Sequence, residues 1–180
     1  MGAEASFPAG YRCSVAEEGE LEGIRRIYNH AVETSTATFD TETKSLEERR
    51  AWLAAHDGSH PVFAVRHEAT GAVAAWGSLS RWSEKKAYDS TAEVSIYVDP
   101  AHQKRGLGGC LLEQLVLSAR REGLHMLISR IAEGNAASLA LHRRFGFRHV
   151  GTLREVGCKF GRYIDVDIFE LRVGEEGSES

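Results

Sequence analysis

A chain of 180 residues has the length of one domain with a substantial core. Its 42% hydrophobic and 27% charged residues are ordinary for a globular protein, and a net charge of −4 argues against a general nucleic-acid binder, which would carry a basic excess. Cys13, Cys110 and Cys158 lie far apart, so neither a disulfide framework nor a zinc site is expected; no metal is called for, and no apolar run approaches membrane-spanning length.

These features read as a cytoplasmic protein without membrane or nucleic-acid partners. Met1-Gly2-Ala3-Glu4-Ala5-Ser6 matches a myristoylation pattern, but no polybasic patch accompanies it, and it reads as coincidence.

In chain order, residues 1–10 read as a disordered tail, and the domain spans 11–173. Tyr11 to Ala16 is a short strand. Leu21, Ile24, Ile27, Tyr28 and Ala31 recur at helical spacing until T-S-T-A-T-F breaks the pattern. Ser45, with Glu48 three residues on, forms a capping box that opens a second helix through about Ala55. Val62–Val65 and Ala72–Leu79 flank E-A-T-G and read as a hairpin, followed by a polar loop from Arg81 to Asp89. His56 and His60 stand four apart, but Gly58 and Pro61 exclude a helix there and with it a metal pair.

The stretch from Thr91 to Gly123 organises the rest. Ala92, Val94, Ile96 and Val98 alternate with Glu93, Ser95 and Tyr97, the period of a strand, and Asp99-Pro100 ends it. Q-K-R-G-L-G-G follows at residues 103–109. Leu111, Leu112, Leu115 and Ala119 then mark a helix that stops near Gly123. A glycine-rich turn entering a helix can point several backbone N–H groups at one phosphate cluster, with Lys104 and Arg105 adding charge. It is neither a Walker A loop nor a dinucleotide fingerprint. A strand from Met126 to Ile131, a helix from Ala136 to Phe145, and strands Phe147–Val156 and Tyr163–Leu171, joined around residues 157–161, complete the domain. Residues 174–180 read as an acidic disordered tail.

The resulting class is α/β, a single domain with a mixed, mostly antiparallel sheet flanked by helices. Gln103-x-x-Gly106-x-Gly108 between strand and helix, this element order, and Gly146-Phe147 after the fourth helix resemble the GCN5-related N-acetyltransferase (GNAT) superfamily, whose fold is the acyl-CoA N-acyltransferase fold. Five ordered motifs are similar to its phosphinothricin N-acetyltransferase branch: I-Y-N-H-A-V-E-T-S-T-A-T-F at 27–39, K-K-A-Y-D-S-T-A-E-V-S-I-Y-V at 85–98, Q-K-R-G-L-G, L-H-R-R-F-G-F, and V-G-T-L-R-E-V-G-C-K at 150–159.

The resemblance implies transfer of an acetyl group from acetyl-CoA to the α-amino group of a small amino acid such as phosphinothricin or methionine sulfoximine. It also implies a homodimer; direct attack without a covalent intermediate is expected because the sequence supports no nucleophile, Cys110 reading as part of helix packing. Acetyl transfer needs a base for the attacking ammonium, a donor for the thioester carbonyl and a proton for the leaving thiolate. Glu93, mid-strand on the face opposite the apolar set, and His142, on the last helix, are the candidate catalytic pair. The resemblance assigns their counterparts acid/base roles.

Ile96, Tyr97 and Val98, Gln103 to Gly109 (including Leu107) and Asn135 are the expected acetyl-CoA contacts, Asn135 also being the default helix cap. Phe39, Trp82, Lys85, Lys86 and Tyr88 are the expected substrate contacts. Lys85 and Cys158 stand where the branch commonly has Arg and Tyr, which puts the exact amino acid in question. The alternatives are acetylation of protein or peptide N-termini and a non-catalytic acyl-CoA sensor.

Overall fold

The computed structural model describes residues 4–174; residues 1–3 and all but the first residue of the acidic tail expected at 174–180 lie outside the described residues. Seven strands form one sheet: β1 (Tyr11–Val15), β2 (Val62–His67), β3 (Val73–Arg81), β4 (Thr91–Val98), β5 (Met126–Ala132), β6 (Arg148–Lys159) and β7 (Arg162–Arg172). Their order is β1-β2-β3-β4-β5-β7-β6, and every pairing is antiparallel except β4 with β5. Four α-helices flank the sheet: α1 (Leu21–Thr34), α2 (Leu46–Ala54), α3 (Leu107–Arg121) and α4 (Ala136–Arg144).

Alternation along the strands divides the core between the two faces of the sheet. In β2, Phe63 and Val65 join the cluster built on Leu111, Leu112 and Leu115 of α3, whereas Val62 and Ala64 join Ile24 and Ile27 of α1. With helices on both faces, β3 is buried from Val73 to Leu79, which is why it reads as a nearly continuous apolar run. At α2, Ser45 Oγ accepts from the Glu48 amide (3.1 Å) and Glu48 Oε2 accepts from the Ser45 amide (2.7 Å), the reciprocal cap its sequence encodes.

Two segments depart from the sequence reading. Residues 4–10, read as tail, dock on the domain: Phe7 packs against the α3 cluster and the Ala5 amide donates to Gln114 Oε1 (3.0 Å). An isolated aromatic between small residues carries no periodicity, so sequence pattern could not register it. The turn between the last two strands is tighter than residues 157–161. β6 runs to Lys159, and Phe160 (φ 53°) and Gly161 (φ 73°) alone reverse the chain. Between Leu153 and Gly157 the register of β6 slips around Glu155 (φ 49°), which breaks the alternation that would have marked the strand.

One feature of the sheet creates the site. β4 pairs with β3 along its length, from Ala92↔Arg81 to Val98↔Ala75, but with β5 only from Thr91 to Glu93. Beyond Glu93 the two parallel strands part, leaving the β5-facing backbone groups of residues 95–98 without a ladder partner.

Candidate active site

The parted strands open a cavity of about 1420 Å³, larger than an ordinary small-molecule pocket. At one end stands the glycine-rich turn. Asp99 accepts from the Ala101 amide (2.9 Å) and pairs with Arg26 of α1, fixing the point where β4 ends. His102 Nδ1 meets the hydroxyl of Tyr11 (2.8 Å), which ties the turn to β1. Gly106 then adopts φ 83°, a left-handed conformation that glycine reaches without steric cost, and α3 begins at Leu107.

The amides of Gly109 and Cys110 both donate to the Gly106 carbonyl, so the N–H groups of Leu107 and Gly108 stand at the free end of a 15-residue helix dipole. A Cβ on Gly106 would meet nothing within 4 Å, and on Gly108 nothing nearer than Leu141 at 3.6 Å. The turn is thus an open cradle of amides at a helix N-terminus, which suits a phosphate group.

Most of the expected cofactor contacts share this cavity: Ile96, Tyr97, Val98, Gln103, Lys104, Gly106, Leu107, Gly108 and Asn135 line it, while Arg105 and Gly109 do not. Gly109 faces Leu141 and Phe145 of the neighbouring helix. Asn135 Oδ1 accepts from the Ser138 amide (3.1 Å) and caps α4. The Tyr97 ring stacks on Trp76 (4.7 Å between centroids), and burial pushes its hydroxyl above the usual phenol range. Among the side chains of residues 96–98, Tyr97 is therefore committed to packing.

The expected substrate contacts divide. Phe39 lines the cavity, held by β6: Lys159, itself buried, donates from Nζ to the carbonyls of Ser35 and Thr38 (2.8 Å each) and pins the loop between α1 and α2. Trp82, Lys85, Lys86 and Tyr88 lie on the β3–β4 connection outside the cavity lining, with Lys85, Lys86 and Tyr88 exposed.

Glu93 and His142 both line the cavity. Glu93 is held by a partner that the sequence reading did not single out: Arg130 of β5 donates from Nε to Oε1 (2.6 Å) and from Nη2 to Oε2 (2.7 Å). The carboxylate in turn raises the guanidinium above its ordinary value, chiefly through these hydrogen bonds. Ser129 was missed as well. The trace of both was present, since Ser-Arg interrupts the apolar run M-L-I-S-R-I-A, and β5 adjoins β4 through Glu93↔Ile128.

His142 is buried, its ring edge-on to Phe147 (4.9 Å), and its hydrogen bonds assign its tautomer. Nδ1 lies 2.8 Å from the Ser138 carbonyl, which can only accept, so Nδ1 carries the proton. In the neutral ring Nε2 is then the lone-pair nitrogen, and it accepts from the Ser129 hydroxyl at 2.8 Å. Burial lowers the His142 pKa below the ordinary imidazole value, outweighing the opposite pull of the Ser138 carbonyl. The site therefore joins an amide cradle, an unpaired strand edge, a carboxylate–guanidinium pair and a neutral imidazole. Such a set can bind a phosphorylated carrier, polarise a carbonyl and take up a proton.

Comparisons with known proteins agree with this chemistry. Residues 14–168 match the family described as an acetyltransferase (GNAT) domain. The chain is 41% identical over 155 residues to a phosphinothricin N-acetyltransferase of Streptomyces coelicolor, covering 85% of this chain and 91% of that relative. It is 38% identical over 154 residues to an L-methionine sulfoximine/L-methionine sulfone acetyltransferase of Pseudomonas paraeruginosa, covering 86% and 90% respectively. An acetyltransferase structure from Salmonella typhimurium, solved with its cofactor acetyl-CoA, superposes with a TM-score of 0.89 at 34% identity, covering 95% of this chain and 98% of that one. Family model, relatives and sheet topology agree: the chain belongs to the GNAT acetyltransferase family.

Proposed function

We propose that the protein transfers an acetyl group from acetyl-CoA to the α-amino group of a small amino acid of the phosphinothricin or methionine sulfoximine class. One observation carries the reading: the parting of β4 from β5 gathers the amide cradle, Glu93 and His142 around one cavity. The names of the relatives from S. coelicolor and P. paraeruginosa supply the substrate class.

The carrier's pyrophosphate sits on the Gly106–Gly108 turn, and its thioester lies along the free edge of residues 95–98. The amine nitrogen attacks the thioester carbonyl directly; a C–N bond forms and the C–S bond breaks. Backbone N–H groups of that edge face the developing oxyanion. Glu93 accepts a hydrogen bond from the substrate ammonium and, directly or through water, takes its proton. His142, neutral with its only N–H committed to Ser138, acts through Ser129 as an acceptor. The leaving thiolate takes up a proton from water.

A homodimer is part of the proposal. Val150, Leu153, Val156, Phe160 and Tyr163 of the β6–β7 hairpin are 47–67% exposed, an apolar surface of the kind that a second copy covers. Three free cysteines support a reducing, cytoplasmic setting, and no helix among the described residues is long and apolar enough to cross a membrane.

The deciding experiment is a thiol-release assay with acetyl-CoA against a panel of amino acids and N-terminal peptides. Turnover confined to small amino acids is the expected result. Turnover only with peptides would redirect the activity to protein N-termini, and acetyl-CoA binding without any turnover would leave a sensor.

A further inference from the structure

Resting on that reaction, the geometry points to Arg130 as the group that binds the substrate's α-carboxylate, with Glu93 beside it taking the α-ammonium. A zwitterionic amino acid must place two opposite charges in the cavity, and each needs a partner there to offset its lost hydration. Glu93 and Arg130 are such a pair, already joined to each other and both lining the cavity.

The way they are joined leaves each able to take a second partner. Glu93 is gripped by one edge of the guanidinium, Nε with Nη2. A guanidinium offers N–H donors along a second edge, Nη1 with Nη2, and that edge has the spacing of a carboxylate. The Arg130 side chain is 55% exposed, against 18% for Glu93, so the open edge has room for a ligand. Two acceptors held by the same nitrogen at ordinary hydrogen-bond lengths stand about 5 Å apart. An α-ammonium can span that gap, touching a Glu93 oxygen while its own carboxylate rests on the arginine. The substrate thus extends the existing ion pair instead of replacing it.

Among the other cations of the cavity, Lys104 stands at the glycine-rich turn, and two more are engaged by neighbours. Lys44 pairs with Asp40 (3.2 Å), and Arg49 is buried with its guanidinium 3.7 Å above the Tyr28 ring. Lys85 and Lys86, two of the expected substrate contacts, stand outside the cavity lining. The Trp82 ring, 5.9 Å from the Arg130 guanidinium, gives that side chain a flat neighbour.

The test compares an α-amino acid that the enzyme acetylates with the same compound as its carboxamide, in full-length wild type and in Arg130→Met and Arg130→Lys. The wild type should favour the acid through KM. Arg130→Met should raise KM for the acid about 10²-fold and leave KM for the amide within about threefold, because only the acid loses a charged hydrogen bond. Any fall in kcat from freeing Glu93 should strike both compounds equally. Arg130→Lys, which keeps the charge without the fork, should lose about tenfold of the preference. Calorimetric affinity for acetyl-CoA certifies folding, and the Lys variant decides should the Met variant fail that check. Folded Arg130 variants that keep the wild-type preference for the acid overturn the anchor while leaving the reaction standing. A wild type that acetylates no amino acid of the panel overturns both.

Discussion

Phe39 lies so close to the backbone of Gly157 that a Cβ built on Gly157 would stand 2.1 Å from ring atom Cε2. The contact joins the loop after α1 to the irregular part of β6, and Lys159 binds the same loop two residues on. One wall of the cavity is therefore borrowed from a distant strand. Gly157→Ala should push the ring aside, costing about 1–3 kcal/mol of stability for the overpacked contact. It should raise KM for the amino acid and leave calorimetric affinity for acetyl-CoA unchanged, because neither residue belongs to the glycine-rich cradle. An unaltered KM would show that Phe39 does not touch substrate.

The cradle makes the opposite prediction. Gly106 holds φ 83°, and a β-branched residue there is strained whatever space surrounds it. Gly106→Val should weaken acetyl-CoA binding at least tenfold by turning the Leu107 and Gly108 amides away from the phosphate. Because the position is a surface turn, the melting temperature should fall by only a few degrees, an estimate that follows from about 1 kcal/mol of backbone strain. Wild-type calorimetric affinity in a folded variant would remove the turn from the site.

Much of this site was legible in the sequence, for reasons that differ by residue. The glycines stood out as a turn too rich in glycine between strand and helix, whereas Glu93 and His142 were singled out by the family motifs that contain them. Ser129 and Arg130 break the pattern of β5 just as plainly. Their meaning depends on a partner 37 residues away for Arg130 and 13 for Ser129, and on the parallel pairing that aligns β4 with β5. Pairing across a sheet is tertiary information. The β3–β4 connection is a different case: Lys85, Lys86 and Tyr88 resemble substrate contacts by motif, yet all three are exposed outside the cavity lining.

Assembly is tested on the β6–β7 hairpin. Phe160 and Tyr163 are 58% and 67% exposed at its tip. If this apolar face is shared by two copies, Tyr163→Lys combined with Val156→Lys should convert a dimer to a monomer in light scattering at micromolar concentration. The change should leave monomer stability within about 1 kcal/mol, since neither side chain is in the core. A wild type that is already monomeric at that concentration would dismiss the dimer.

The proton path gives the last prediction, and Glu93 and His142 separate within it. Glu93→Gln keeps shape and hydrogen-bonding capacity but cannot take a proton, so kcat should fall about 10²-fold with acetyl-CoA affinity intact. His142 should govern the acidic limb of kcat/KM. Its ring must be neutral for Nε2 to accept from Ser129, and burial holds its folded-state pKa below the ordinary 6.5. The limb should therefore fall below that value and flatten in His142→Asn. Stability carries the same sign. A histidine whose pKa is depressed by folding contributes stability above its unfolded value, and loses it as the pH falls from there through the folded one, because the unfolded chain binds the proton first. His56 and His102 are shifted in the same direction, also by burial first, so the wild type should lose stability toward pH 5 whatever His142 does. The difference between wild type and His142→Asn isolates the one residue: denaturant midpoints should diverge less at pH 5 than at pH 7.5. Equal divergence at both, together with an unmoved acidic limb, would make His142 a packing residue and leave Glu93 to handle the proton alone.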